Sequence, residues 1–173
     1  MGAELWNETM IERRLIHYSE SPLSGVNSVV QTDQFGFKPD GLWVSCEGDD
    51  DWESWCREED FRLDRLSIRT EIILKPDNNI LWISDAAGID DLTRQYHKPG
   101  VEQYFLSLKM GWRDIAAQHQ GLIISPYQWS CRLGEAGWYY GWDCASGCIW
   151  DADAISDVQP LDAAPERKEI ESQ

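Results

Sequence analysis

The sequence predicts one α+β domain carrying a mixed or antiparallel sheet with flanking helices. Three observations carry that expectation: strand-type segments lie toward both ends of the chain, segments of helical periodicity lie between them, and no internal repeat or obvious linker divides the whole. A chain of 173 residues suits a single domain. Folding at this length buries about 70% of the unfolded surface without help from a metal or a disulfide. The domain is expected over residues 1–161, followed by a polar tail over 162–173 that is expected to be disordered.

Taken in order, Arg13 to Tyr18 reads as a short strand. Ser19 to Asp40, broken by Pro22, Gly25, Gly36 and Pro39, reads as a long loop of the kind that is usually functional or mobile. Leu42 to Cys46 is a second strand. The run Asp49-Asp50-Asp51 before Trp52, Trp55 and Cys56 marks a helix start, where carboxylates complement the helix dipole; no glycine-spaced calcium loop follows it. Ile68, Thr70, Ile72 and Leu74 alternate with polar residues, and Pro76-Asp77-Asn78-Asn79 turns the chain into Ile80 to Ile83, so these two strands read as a hairpin. Ser84 or Asp85 caps a helix covering Ile89 to Tyr96, and a second helical pattern runs from Trp112 to His119 and stops at Gly121. Leu122 to Ile124 and Cys148 to Trp150 are short buried strands, and Val158 to Leu161 is a last edge strand.

Composition narrows the function. With 31 acidic against 15 basic residues the formal charge is −16, a surface that repels phosphate backbones unless its few cations are gathered together. That argues against nucleic acid and leaves a basic protein partner, or mimicry of nucleic acid, open. Residues Met1 to Met10 lack the basic segment and apolar run of a signal peptide, and no apolar stretch reaches membrane-spanning length, so a cytoplasmic, non-membrane protein is expected. Five cysteines, with no Cys-x-x-Cys pair, read as buried free thiols rather than a disulfide framework or zinc site. The ten tryptophans suggest that several line a cleft, since flat amphipathic rings suit a planar ligand.

Common catalytic signatures are missing: there is no phosphate-binding loop, dinucleotide fingerprint, nucleophile elbow or zinc helix. A Cys-His hydrolase is allowed by residue types, but nothing selects a pair. What the chain does carry is His17-Tyr18-Ser19 at the end of the first strand, Lys38-Pro39-Asp40-Gly41-Leu42-Trp43-Val44-Ser45 on the second, and Trp142-Asp143-Cys144-Ala145-Ser146-Gly147-Cys148-Ile149-Trp150-Asp151 near the end. In this order, with strands and helices between, the stretch from Leu15 to Leu161 resembles small ADP-ribosyltransferase-like domains, which implies a split sheet. It is nearest to compact phage-encoded members, some of which act as anti-CRISPR proteins.

That resemblance implies cleavage of NAD⁺ at the bond between nicotinamide and ribose, with a positively charged, oxocarbenium-like sugar to stabilise. It implies that Asp143 sits at the ribose as the catalytic carboxylate, that His17 binds the adenosine-side ribose, that Trp43 or Tyr18 stacks on nicotinamide, and that Ser19 and Ser45 hold the site through hydroxyl hydrogen bonds. No metal is implied. The chain departs from the family pattern in having Asp143 where Glu is usual and Trp43 where Tyr is frequent. Each residue also has a structural alternative: His17 as a bonded strand-end histidine, Asp143 as a turn cap, Trp43 as core. The aromatic run Tyr127 to Trp142 reads as a cleft wall or a protein-binding patch, and His97 and His119 as surface or packing residues. The expected function is a mono-ADP-ribosyltransferase acting on a protein, an anti-defence protein of a phage or mobile element working in the host cytoplasm. The alternative is a non-enzymatic acidic protein that blocks a basic partner surface.

Overall fold

The computed structural model of the chain describes residues 13–32, 38–99, 108–134 and 136–161. Nine strands and three helices follow one another: β1 (Leu15–Ser19), β2 (Leu42–Cys46), α1 (Trp52–Glu58), β3 (Ile68–Leu74), β4 (Ile80–Ile83), α2 (Ala86–Tyr96), β5 (His97–Pro99), β6 (Leu108–Met110), α3 (Trp112–Ala116), β7 (Gly121–Ile124), β8 (Ser146–Ile149) and β9 (Ile155–Leu161). Short 3-10 turns at Leu63–Leu66, Trp129–Cys131, Gly137–Gly141 and Ala152–Ala154 join them. Seven strands form one sheet in the order β4-β7-β8-β2-β1-β3-β9, while β5 and β6 make a separate two-stranded ribbon. Among the described residues only β4 and β7 run parallel, with α2 on the crossover between them; the other pairs are antiparallel. The result is a single α+β unit with a mixed sheet, as the sequence predicts. The tail from Asp162 and the expected loop residues 33–37 lie outside the described residues.

The expected hairpin of β3 with β4 does not form. β3 pairs with β1 and β9, and β4 pairs with β7 at the far end of the strand order. The side chains of the connecting turn explain the difference: Asn79 donates to the carbonyl of Gln118, Asn79 N–H donates to Gln120 Oε1, and Gln120 N–H returns to Asn79 O, so the turn is tied to the start of β7. Six peptide units reach at most about 21 Å, whereas five strand spacings in a flat sheet come to about 24 Å. The sheet must therefore curl, which its twist allows.

An aromatic layer fills the centre. Trp138, Tyr139 and Trp142 are fully buried, with Trp112 and Tyr127 beside them, and their rings meet edge-on, tilted or stacked at 5.3 to 6.3 Å. Most of the run from Tyr127 to Trp142 is thus core rather than cleft wall. The run Asp49-Asp50-Asp51 also has a structural use. Asp51 caps α1 by accepting from Ser54 N–H at 2.8 Å and also holds Gly48 N–H, while Asp50 binds Arg13 and Tyr127 N–H. All five cysteines are free and buried, with burial pushing the thiols of Cys46 and Cys144 up to about 12 and that of Cys56 up to about 11.

Candidate functional site

β1 and β2 lie side by side at the centre of the sheet, yet they pair only at Leu15↔Cys46 and Ile16↔Ser45. β1 keeps five partners on β3, and β2 keeps four on β8. Two halves of the sheet, β4-β7-β8-β2 and β1-β3-β9, therefore part immediately after Ile16. At the parting His17 Nδ1 lies 2.8 Å from the carbonyl oxygen of Trp43. A carbonyl can only accept, so Nδ1 carries the proton, and in the neutral ring Nε2 is the acceptor.

Side chains alternate along a strand, so the paired Ile16 and Ser45 put Tyr18 and Trp43 on one face and His17 and Ser19 on the other. His17 meets Trp43 through its main chain, not its ring. Tyr18 donates to Glu53 Oε2 of α1 at 3.2 Å, and burial, then the charges of Glu53 and Asp51, push its phenol up. Ser19 donates to the carbonyl of Ser21, closing a turn, and the buried Ser45 hydroxyl accepts from Trp52 N–H at the start of α1. Both serines hold local structure. Tyr18 is committed to α1, while the Trp43 ring lies against Lys38 and Trp142.

The half-buried Trp43 ring meets Trp142 at 4.8 Å on one side and has Lys38 Nζ 4.9 Å from its centroid. Asp143 follows Trp142 directly. Burial pushes its carboxyl up; Lys38 and Arg132 pull it back down, and Glu59 pushes it up again. Arg132 Nη2 lies 3.4 Å from Asp143 Oδ1, and its guanidinium stands 6.0 Å from the Trp129 ring and 5.7 Å from the Tyr140 ring. Gly41 is what lets the second motif run beside β8: its φ is +151°, and a Cβ there would lie 2.5 Å from the Ile149 carbonyl.

The fold thus brings Lys38, Trp43 and Asp143 to one neighbourhood, bonds His17 to the backbone of that neighbourhood, and assigns Tyr18, Ser19 and Ser45 to scaffolding. Arg132 is the member that sequence reading missed; its only signal was a lone cation among Trp129, Tyr140 and Asp143. A cleft of about 340 Å³ lies elsewhere, between β4, α2 and the turn at Gln118 and His119, and none of the predicted residues lines it. No group of three or more histidine, cysteine or carboxylate side chains arranged to hold a metal occurs among the described residues. Nor does any described helix have the length and apolarity to cross a membrane. The buried, raised thiols also weigh against a cysteine nucleophile. No protein-family model, curated protein or solved structure matches the chain.

Proposed function

We propose that the chain is an NAD-dependent mono-ADP-ribosyltransferase whose dinucleotide enters where the two halves of the sheet part. One observation carries the proposal: the β1–β2 ladder stops after two pairs, and at that gap His17 is bonded to the main chain of Trp43 while, on the other face, the Trp43 ring lies beside Lys38 and Trp142, the residue before the half-buried carboxylate of Asp143. The split sheet expected from the resemblance to ADP-ribosyltransferase-like domains supports the same reading. His17 offers Nε2 to a ribose hydroxyl, Trp43 stacks on the nicotinamide ring, and Asp143 faces the sugar carbon as it becomes cationic. Burial pushes the Asp143 carboxyl up, and Lys38 and Arg132 offset part of that push. The bonding pair of the C1′–N1 bond goes to nicotinamide, which leaves neutral. An acceptor nucleophile then bonds to C1′, and its proton passes to Asp143 or to water.

The test is release of nicotinamide from NAD⁺ in the presence of host-cell protein. Asp143→Asn should lower that rate by about 10² or more, as loss of a preorganised electrostatic partner does, with unchanged thermal unfolding. His17→Ala should raise the NAD⁺ concentration needed for half-maximal rate. A rival reading, an acidic protein that blocks a partner surface, is favoured by the exposure of Trp129, Leu133 and Tyr140 around Arg132. Absence of both NAD⁺ binding and nicotinamide release from the wild-type chain would leave that rival standing.

A further inference from the structure

The sheet has two ends, and they are built differently. β9 carries Asp157, Gln159 and Pro160, and its ladder with β3 is irregular between Ile73 and Leu74. Charge, proline and bulges are the devices that stop an edge strand from recruiting another strand. β4 reads Ile80-Leu81-Trp82-Ile83 and has none of them. In the parallel pairing with β7, Leu81 and Ile83 aim their main-chain groups at β7, as the bond from Ser125 N–H to Ile83 O confirms. Trp82 therefore aims its N–H and carbonyl the other way.

The 340 Å³ cleft lies along that edge. It touches Leu81, Trp82, Ile83 and Ser84 in succession, and because strand side chains alternate, a cleft meeting four consecutive residues runs along an edge rather than over a face. Its opposite wall is one stripe of α2, through Gly88, Asp91, Leu92 and Gln95. A groove between a helix and a strand edge that pairs with no strand among the described residues is the geometry in which an extended peptide adds as a further strand.

We propose that this groove takes an extended segment of a partner protein in which apolar and basic residues alternate. The basic character follows from the walls. Asp85 and Asp91 line the groove, Asp91 beside Arg94 at 2.6 Å, and Gln95 and Gln118 each give one amide N–H to the Tyr96 hydroxyl and keep a side-chain oxygen able to accept. Leu81, Leu92 and the exposed Trp82 supply the apolar contacts. A second copy of this chain is a poor occupant, because its own charge is −16. The site is independent of the NAD⁺ reading and lies on different elements.

The probe is a synthetic, end-capped hexapeptide of alternating valine and arginine, titrated into the ¹⁵N-labelled full chain. Saturable shifts are expected at the amides of Leu81 to Asp85 and along α2, and Asp91→Lys should weaken binding about tenfold. Replacing arginine by glutamate in the peptide should abolish it. N-methylation of the alternate peptide amides that face β4 should also abolish binding, while N-methylation in the other register should not. Non-saturating shifts spread over the acidic surface would overturn the proposal, as would indifference to N-methylation in both registers. Concentration-dependent self-association through β4 without peptide would assign the groove to a second copy instead.

Discussion

Asp143 is a carboxylate whose burial and whose neighbours pull in opposite directions, and the net displacement is upward. The folded state then binds its proton more tightly than the unfolded chain does. Its contribution to stability is greatest below the ordinary carboxylate range and is lost as pH rises through the raised value. Asp143→Asn has no such loss. In urea unfolding, the stability of Asp143→Asn relative to wild type should rise as pH is taken from about 4 to about 7; a flat or falling difference would mean that Lys38 and Arg132 outweigh burial. The cysteines give a second test at this scale. With every thiol buried and those of Cys46, Cys56 and Cys144 pushed up to between about 11 and about 12, the native chain should resist alkylation near neutral pH, and denaturant should expose all five, as intact mass would read. The resemblance to ADP-ribosyltransferase-like domains, and not residue type alone, made His17, Trp43 and Asp143 candidates. Their partners were not visible, because nothing local to His17 names the carbonyl of Trp43, which lies 26 residues away.

Elements here form for local reasons, and local reasons were legible. Asp51 before Trp52 and Asp85 before Ala86 are side-chain N-caps, and both helices start where those residues stand. Asp51→Ala removes acceptors for both Ser54 and Gly48 N–H from a seven-residue helix that also holds Ser45 and Tyr18, so it should cost about 1–2 kcal/mol in denaturant unfolding. Alternation marked Ile68–Leu74 and Ile80–Ile83 as strands, but alternation says which residues share a face and nothing about which strand lies beside it. Pro76-Asp77-Asn78-Asn79 has hairpin chemistry, yet its amides bind Gln118 and Gln120 instead, a long-range choice with no local signature. Gly147 shows the same limit. Nothing in its sequence context marks the close approach by which a Cβ there would press on the Leu122 carbonyl and lie 2.5 Å from Ile123 Cγ1. Gly147→Ala should therefore separate β8 from β7 at a cost of about 1–3 kcal/mol, seen as a lower unfolding midpoint with an unchanged slope.

At the scale of the whole molecule, charge sets the response to pH and salt. A chain at −16 repels itself, and that repulsion weakens as pH falls toward the isoelectric point of about 4.4 or as salt screens it. Specific carboxylates oppose the gain from acid. Glu71 is held low by its hydrogen bond from Arg14, and Asp151 by the Asp153 N–H, Gln120 and Ser28; in Glu53 burial pushes upward, but the hydrogen bonds from Arg57 and Tyr18 prevail and the net direction is down. Each such group contributes stability above its unfolded-state range, and that contribution is lost as pH falls through the depressed value. These ties also join distant parts of the chain, since Asp151 holds Ser28 and Glu71 holds Arg14. The two trends cross, so unfolding temperature should pass through a maximum at about pH 5–6. Added sodium chloride should raise it more at pH 8, where repulsion is largest, than at pH 5. Stability that rose steadily to pH 8 in low salt would mean that the depressed carboxylates, and not the net charge, dominate the pH response of this fold.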